Sequence, residues 1–236
     1  MKTNLQTGPV HGFEVEPISA RCREIWERGE HVLIGVSTGN SYFSQERLTS
    51  LARWAGHFFD QIDVMYVDTC IEGTLISSGL TAHEASRLVK SRLRDMRRKL
   101  RRVVESLGST ADRVRVRPLS EFLQEDAYQA VRRRTEEELA RNPQFASVCE
   151  DMVRRYLAGK CADGRCTPEG VRAGMDYLLA ELPFFLDSPN LFDVRSSSAC
   201  YHVSTPLVEY LVQANSDVLP ASRSHGYLVV KPAEAQ

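Results

Sequence analysis

Four short apolar runs, separated by much longer segments with helical periodicity, constrain the fold of this chain more than any other feature. The runs cover residues 31–36, 62–67, 114–119 and 227–231. Apolar runs of this length are typical of buried strands. When helical segments connect consecutive strands, the strands lie parallel in one sheet. We therefore predict an α/β fold: a Rossmann-like parallel sheet with helices on both faces.

The clearest predicted helix covers residues 82–107. Thr81 and Glu84 fit a capping box, in which the first side chain caps the helix and the second reaches back to the cap. Apolar residues then recur every three or four positions and form one stripe for the core. Further helices are predicted over residues 121–142, from 145 toward 157, and from 167 to an end by Pro183.

Length and composition favour one folded domain. A chain of 236 residues with 42% hydrophobic content can build one sizeable core. Residues 1–18 contain Gly and Pro without periodicity, so we expect a loose N-terminal tail followed by a single domain over residues 19–236. No apolar run approaches the about 18 residues of a membrane span, and the first residues lack the apolar segment of a secretory signal.

The cysteine content and the net charge limit which cellular compartment and which binding partners we expect. Six cysteines are present, without a Cys-x-x-Cys pair, so we predict no metal site. We expect free thiols in a reducing cytoplasm, and a disulfide between Cys161 and Cys166 is the alternative. The formal net charge of −1 gives the molecule no general affinity for nucleic acid, and we expect neither DNA nor a membrane as a partner.

A Gly-x-Ser-x-Gly pattern at residues 35–39 follows the first apolar run and places Ser37 at the end of a predicted strand. Ser37 could be a hydrolase nucleophile acting with His202 or His225. However, the 36 residues before it cannot supply the strands that precede a nucleophile elbow. A phosphate-binding loop would need a different spacing of glycines and a lysine. The remaining interpretation is a strand-to-helix turn built from small residues.

Two later stretches carry side chains suited to chemistry. Tyr177 and Glu181 are four residues apart and therefore share one face of a predicted helix. The residues between them are apolar, so the carboxyl of Glu181 points either to solvent or into a pocket. The other stretch, residues 196–202, is a run of small residues that ends in Tyr201 and His202.

Taken together, four segments resemble the cyclodipeptide synthase family. They are HVLIGVSTGNSYFSQ at 31–45, DVMYVDT at 63–69, YLLAELPFF at 177–185 and SSSACYHVSTP at 196–206. The likeness implies a fold resembling the catalytic domain of class I aminoacyl-tRNA synthetases, without their ATP-binding signatures. It also implies that two aminoacyl-tRNAs are joined into a cyclic dipeptide, a 2,5-diketopiperazine, by a ping-pong mechanism that needs neither ATP nor a metal.

The resemblance implies catalytic roles for four residues. Ser37 is expected to be the nucleophile that carries the aminoacyl and dipeptidyl groups as esters. Tyr177 and Glu181 are expected to bind the amino group of the bound residue. Glu181 would hold the ammonium and later help to move its proton. Tyr201 is expected to relay a proton during ring closure.

Other residues of the same segments are expected to bind the substrate. Gly35 and Asn40 would hold the aminoacyl backbone. The role of His202 is left open, because an imidazole can hydrogen bond but also titrates at about pH 6.5. The predicted lining of the first amino-acid pocket is Leu33, Met65, Leu119, Phe184 and Ala199.

The amino acids themselves are only weakly constrained. The predicted lining of the first pocket favours a small or medium apolar side chain. A second pocket is expected to border residues 158–166. Lys160 and Arg165 lie there, and they either accept an acidic second residue or simply face solvent.

A concentrated run of basic residues lies on the helix predicted over 82–107. Between residues 84 and 105, nine Lys and Arg side chains are opposed by three acidic ones. Such a stripe suits a phosphate backbone, and the alternative is a solvated helix face. A second basic run, 132–134, can pair with the acidic run 136–138 on its own helix. By the family resemblance, the predicted tRNA-binding residues are Lys90, Arg94, Arg97, Arg98, Arg101 and Arg102.

Two other functions stay open from the sequence. One is a serine hydrolase or esterase that uses Ser37, which would cleave simple esters without tRNA. The other is a non-catalytic tRNA-binding protein, which would need neither Ser37 nor Glu181. The expected partners are two aminoacyl-tRNAs, and we expect a monomer while leaving a dimer open.

Overall fold

The computed structural model describes residues 11–158, 167–213 and 222–233. Within these ranges one sheet contains the strands β1 (Phe13–Pro17), β2 (His31–Val36), β3 (Gln61–Tyr66), β4 (Val114–Pro118), β5 (Ser197–Tyr201) and β6 (His225–Pro232). Their order across the sheet is β1-β6-β5-β2-β3-β4. Strands β2 to β6 are parallel, and β1 is antiparallel to β6. The predicted Rossmann-like parallel sheet is confirmed, with one antiparallel strand at its edge.

Helices cover both faces of this sheet, as predicted. Helices α2 and α4 pack together on one face, over Val32, Ile34 and Val36 of β2. Helices α5 and α7 pack together on the other face, where Leu33 of β2 shares a cluster with Phe184. This alternation along β2 is expected of a strand that is covered on both faces. The helices of the described ranges are α1 (Ala20–Arg28), α2 (Gln45–Phe58), α3 (Ile71–Ser77), α4 (Ala82–Glu105), α5 (Asp126–Arg141), α6 (Pro143–Ala158), α7 (Pro168–Leu191) and α8 (Pro206–Gln213).

The start of α4 follows the predicted capping box. The Glu84 amide donates to Thr81 Oγ1 at 3.3 Å, and the Thr81 amide donates to Glu84 Oε2 at 2.9 Å. The helix predicted over residues 121–142 begins later, at Asp126. A 3₁₀ turn over Leu119–Phe122 comes first and buries both of its end residues. The apolar residues of that turn resemble the first turn of a helix, which explains the early predicted start.

The prediction of a loose tail over residues 1–18 is wrong for the part that the structure describes. Residues 13–17 form β1 and pair with residues 228–232 of β6. Phe13 is buried in the main core, and Val15 packs partly against it. These residues alternate with Glu14 and Glu16, but the alternation is too short to stand out beside the neighbouring Gly and Pro. Residues 1–10 lie outside the described residues.

Helix α7 runs past Pro183, where the sequence predicted its end, and continues to Leu191. Proline removes one helical hydrogen bond and so leaves the carbonyl four residues earlier without its usual donor. For Pro189 that carbonyl belongs to Phe185, and the Tyr227 hydroxyl donates to it from β6. Long-range packing therefore supplies a donor that local sequence reasoning does not foresee. Residue Asp187 marks a kink, with φ −151° and ψ 48°.

The described cysteines are free thiols: Cys22, Cys70, Cys149 and Cys200. Burial raises the pKa of the Cys149 and Cys200 thiols to about 12 in each case. Cys161 and Cys166, and with them the alternative disulfide, lie outside the described residues. Within the described ranges, no helix is both long enough and apolar enough to cross a bilayer.

Candidate active site

The site lies where the order of strands reverses direction across the sheet. From β2 the chain moves outward to β3 and β4, and then returns to the other side of β2 to form β5 and β6. In open α/β sheets, ligands bind at the carboxyl ends of the strands beside this reversal. Ser37 directly follows the last residue of β2, and Tyr201 is the last residue of β5. These two side chains therefore border the expected crevice.

A cavity of about 410 Å³ occupies this crevice. Helix α7 crosses it and contributes Tyr177 and Glu181 from adjacent turns. All four residues predicted as catalytic line the cavity, together with most of those predicted to bind the substrate. The predicted residues in its lining are Ser37, Tyr177, Glu181, Tyr201, Gly35, Asn40, Leu33, Met65, Phe184 and Ala199.

Two predicted substrate-binding residues do not line the cavity. Leu119 is fully buried in the cluster that contains Leu33 and Met65, so it supports the wall from behind. The ring of His202 stacks on Tyr42, with centroids 3.8 Å apart and an interplanar angle of 15°. Burial lowers the pKa of this imidazole, and its Nδ1 is buried without a hydrogen-bond partner. Leu119 thus lies behind the predicted pocket wall, and His202, whose role the sequence left open, packs against Tyr42.

A turn positions the serine. The Asn40 amide donates to the Ser37 carbonyl at 3.2 Å, and Gly39 adopts a φ of +86°, which favours glycine. Asn40 Oδ1 in turn accepts from the Tyr42 amide at 2.9 Å. The Thr38 hydroxyl donates to the carbonyl of Val67, just beyond β3. The turn is thereby tied to the neighbouring strand, which fixes the direction of the Ser37 side chain.

The polar side chains of the cavity lie within reach of one another. Ser37 is near enough to Tyr177 and to Tyr201 to lower the pKa of both phenols by hydrogen bonding. Tyr177 acts in the same way on the carboxyl of Glu181, and Asn40 on Tyr201. Tyr177 therefore neighbours both the Ser37 hydroxyl and the Glu181 carboxyl.

The electrostatics of this group follow from its depth in the protein. Burial raises the pKa of Glu181 to about 8, and the hydrogen bond from Tyr177 opposes that rise only in part. Burial raises the pKa of Tyr177 well above its usual value, and the negative charge of an ionised Glu181 would add to this rise. Near neutral pH the empty cavity therefore holds an uncharged carboxyl and uncharged phenols. A cation that enters the cavity favours the carboxylate and so lowers this pKa.

The histidines needed for a serine hydrolase are not placed beside Ser37. His225 lies at the amino end of β6, the opposite edge of the sheet, and is fully buried with both ring nitrogens unpartnered. Burial lowers the pKa of His225 to about 3. His202 stacks on Tyr42, and the side chains beside Ser37 are those of Tyr177 and Tyr201. Neither histidine is therefore placed to act as the general base of a serine hydrolase.

A serine, a histidine and an aspartate do meet elsewhere, which the sequence did not reveal. Ser197 Oγ lies 2.7 Å from His31 Nδ1, and His31 Nε2 lies 3.0 Å from Asp63 Oδ2. Arg115 also donates to Asp63 Oδ2 at 2.6 Å. Ser197, His31 and Asp63 are at most 1% exposed, so no substrate reaches them. This network instead connects β5, β2, β3 and β4 beneath the cavity.

Several cavity residues were missed by the sequence reasoning, among them the exposed Tyr156. Tyr156 of α6 lines the cavity, and its ring lies parallel to that of Tyr177, with centroids 6.2 Å apart and an interplanar angle of 16°. Its sequence context is an ordinary helical repeat, and the nearby Met152 and Val153 look like core residues. Only the packing of α6 on α7 shows that this tyrosine reaches the cavity.

The predicted tRNA-binding residues form an exposed cationic face on α4. Its members are Lys90, Arg94, Arg97, Arg98, Arg101 and Arg102. Arg97 Nε donates to the Tyr66 hydroxyl at 3.1 Å. Arg98 and Arg101 pair with acidic residues of α4, each at 3.7 Å, and exposed pairs of this kind are weak. On α5, the predicted pairing is confirmed for Arg132, whose Nε lies 2.9 Å from Glu136 Oε1.

The fold and the cavity together define a Rossmann-like enzyme with an enclosed serine, tyrosine and glutamate centre. The cyclodipeptide synthase family model matches residues 13–232, and this chain belongs to that family.

Characterised relatives agree with this assignment. A cyclo(L-leucyl-L-phenylalanyl) synthase from Streptomyces noursei is 46% identical over 235 residues, which cover 99% of this chain and 98% of the relative. A cyclo(L-tyrosyl-L-tyrosyl) synthase from Mycobacterium tuberculosis is 38% identical over 222 residues, which cover 94% of this chain and 76% of the relative. The chain is therefore similar to these synthases over nearly its whole length.

Solved structures show the same similarity. A crystal structure of a cyclo(L-leucyl-L-phenylalanyl) synthase superimposes with a TM-score of 0.88 at 46% identity, over 95% of this chain and 100% of that one. A Mycobacterium tuberculosis protein gives a TM-score of 0.86 at 38% identity, over 94% of each chain. That structure is described as demonstrating that cyclodipeptide synthetases are related to type I tRNA synthetases. The predicted relation between the fold and these synthetases is thus confirmed.

Proposed function

We propose that this enzyme joins two amino acids, delivered as aminoacyl-tRNAs, into a cyclic dipeptide through ester intermediates on Ser37. The observation that carries the proposal is the placement of Ser37, Tyr177 and Glu181 in one cavity, with Tyr177 next to both of the others. This placement brings a nucleophile close to a carboxyl whose pKa lies near physiological pH, and such a group is suited to move protons. The aminoacyl ester is already activated, so the reaction needs no ATP and no metal.

In the first step the Ser37 hydroxyl attacks the carbonyl of the first aminoacyl ester. A bond forms between Ser37 Oγ and the carbonyl carbon, and the bond to the terminal ribose oxygen of the tRNA breaks. The proton of the Ser37 hydroxyl ends on that ribose oxygen. The amino group of the bound residue then lies beside Glu181 and Tyr177, where its positive charge favours the Glu181 carboxylate.

In the second step Glu181 accepts a proton from this ammonium, and the neutral amine attacks the carbonyl of the second aminoacyl-tRNA. A peptide bond forms, one proton of the attacking amine ends on the terminal ribose oxygen of the second tRNA, which leaves, and a dipeptidyl ester remains on Ser37. The free amine of the dipeptide then attacks the ester carbonyl and closes the ring. Tyr201, hydrogen bonded to Ser37, relays the proton that restores the serine hydroxyl.

The cavity favours an apolar first amino acid. Leu33, Met65, Phe184 and Ala199 form a mostly apolar wall beside Ser37, and the relatives named above carry leucyl, phenylalanyl and tyrosyl groups in their products. We therefore propose a medium-sized apolar or aromatic residue at this position. The sequence-based suggestion of an acidic second residue rests on Lys160 and Arg165, which lie outside the described residues.

Mixing the purified protein with charged tRNA tests the proposed chemistry directly. With leucyl- and phenylalanyl-tRNA, intact-mass spectrometry should detect protein heavier by one aminoacyl group, and the small-molecule fraction should contain a cyclic dipeptide. If a full set of charged tRNAs yields neither species, the synthase function is wrong. Hydrolysis of simple esters without tRNA would instead support the hydrolase alternative, and tRNA binding without product would support the non-catalytic one.

The exposed face of α4 is the proposed contact for the tRNA backbone. Replacing Arg97, Arg98, Arg101 and Arg102 by alanine should weaken tRNA binding and flatten the plot of log affinity against log salt. Each phosphate contact that is lost should reduce the slope by roughly 0.7 to 0.9. The total reduction in slope should be smaller than that of four phosphate contacts, because Arg97 also bonds with Tyr66.

A matched control uses exposed arginines on the other face of the sheet. Replacing Arg133 and Arg134 of α5 by alanine should leave the salt slope unchanged. If the quadruple α4 variant keeps the wild-type slope, its basic stripe is only a solvated face. The tRNA site must then lie elsewhere on the surface.

A further inference from the structure

Apolar surface is concentrated at the entrance of the cavity. Among the described residues, the large apolar side chains with high exposure are Ile76, Tyr156 and Val203, at 44%, 40% and 43%. Tyr156 and Val203 both line the cavity. Exposed apolar groups that gather at one opening indicate a binding surface more often than isolated ones do. A tyrosine ring also suits a ligand with a flat face.

The ring of Tyr156 lies close to the proposed catalytic residues. It is nearly parallel to Tyr177, with centroids 6.2 Å apart and an interplanar angle of 16°. Tyr177 in turn neighbours Ser37 and Glu181. A ligand that stacks on Tyr156 is therefore close to the nucleophile.

A cation lies beside the turn that borders the cavity. The Arg92 side chain of α4 rests against the turn after Ser37, where a Cβ at Gly39 would lie 3.1 Å from Arg92 Nη1 and 3.3 Å from Cζ. Glycine at this position gives the guanidinium room to lie beside the turn. Arg92 is also near enough to Tyr156 for its charge to counteract, in part, the burial that raises the phenol pKa. The guanidinium thus lies near both the turn after Ser37 and the ring of Tyr156.

We propose that Tyr156 and Arg92 bind the terminal nucleoside of the tRNA, with Tyr156 stacking on the adenine and Arg92 contacting the adjacent phosphate. This inference rests on the proposed function. An aminoacyl ester is attached to the terminal ribose, so when its carbonyl reaches Ser37 the ribose and its base must lie at the cavity entrance. Stacking on an aromatic ring tolerates any amino acid and any tRNA body, so one contact can serve both substrates.

A double-mutant cycle tests the stacking contact without catalysis. The dissociation constants of uncharged tRNA and of the same tRNA lacking its terminal adenosine are measured with wild type and with Tyr156→Leu. Loss of the adenosine should weaken binding to wild type roughly 5- to 150-fold and should have little effect on Tyr156→Leu. Tyr156→Phe keeps the ring and should behave as wild type, which also controls for folding.

A separate measurement tests the contact between Arg92 and the phosphate. Arg92→Gln should lower the salt slope for tRNA binding by about 0.7, the value for one single-stranded contact. Arg172→Gln, which removes another exposed arginine at the start of α7, should leave the slope unchanged. A slope for Arg92→Gln equal to that of wild type would overturn the phosphate contact.

The outcomes separate this inference from the function on which it rests. Equal losses of affinity on removing the adenosine, in wild type and Tyr156→Leu, would overturn the stacking contact even if the enzyme makes a cyclic dipeptide. If wild type has no affinity for tRNA and makes no cyclic dipeptide from charged tRNA, both the proposed function and the nucleoside site are wrong.

Discussion

Ser37→Ala is expected to lower cyclic dipeptide formation by roughly a thousandfold or more, the scale seen when a covalent nucleophile is removed. The hydroxyl forms the ester that holds the first amino acid while the second substrate arrives, and alanine offers no atom for that bond. The measurement is product yield by mass spectrometry, together with the intact mass of the protein after mixing with charged tRNA. The variant should show no aminoacyl adduct.

Ser37→Ala should otherwise resemble the native protein. The change removes one part-exposed hydroxyl from a turn whose backbone hydrogen bonds remain. Its thermal unfolding and its affinity for uncharged tRNA should therefore match wild type. A well-folded variant with normal product yield would remove Ser37 from the mechanism and leave the serine as part of a structural turn.

Glu181→Gln is expected to slow product formation by about 10²- to 10⁴-fold, the usual contribution of a general base. The amide can still bond with Tyr177, but it can neither balance an ammonium nor accept its proton. The pKa of Glu181 is about 8 in the empty cavity, so kcat/KM of wild type should fall as the pH falls below that value. The variant should lack this dependence, which a pH profile of initial rates measures.

The stability of Glu181→Gln provides the control. The folded-state pKa of about 8 lies above the ordinary value of 4.5, so the folded protein holds an extra proton between these values. Wild-type stability should therefore fall as the pH rises through this window, and the cost is complete above about pH 8. Glutamine does not ionise, so the variant should match wild type near pH 4.5 and be more stable at pH 8.5, by on the order of a few kcal/mol. A variant that is inactive and less stable at both pH values would indicate a structural role.

The sequence predicted the strands that form apolar runs and missed the two that do not, β1 and β5. β2, β3, β4 and β6 were visible as apolar runs, whereas β5 consists of residues 197–201, Ser-Ser-Ala-Cys-Tyr. These small residues nevertheless lie in the middle of the sheet. The buried Ser198 hydroxyl has no hydrogen-bond partner among the described residues, but the Ser197 hydroxyl bonds with His31, which is 166 residues away. Single-sequence periodicity contains no information about such a partner.

In the site, too, features set by local sequence were predicted and features set by long-range packing were not. The spacing of Tyr177 and Glu181 placed them on one helix face, and the family resemblance assigned their roles. The pKa of Glu181, however, depends on how deeply α7 is buried over the end of β2. Tyr156 was missed for a similar reason, because its position at the cavity follows from the packing of α6 on α7.

The pairing of β1 with β6 has a consequence for synthesis on the ribosome. Phe13 pairs with Pro232, so β1 stays without its partner until the residues of β6 have been made. Pairings this distant in sequence form slowly. Until β6 arrives, β5 and β1 both lack a neighbour and present open backbone groups, which favour association between chains. A ribosome stalled shortly before β6 would therefore hold a chain that is prone to aggregate.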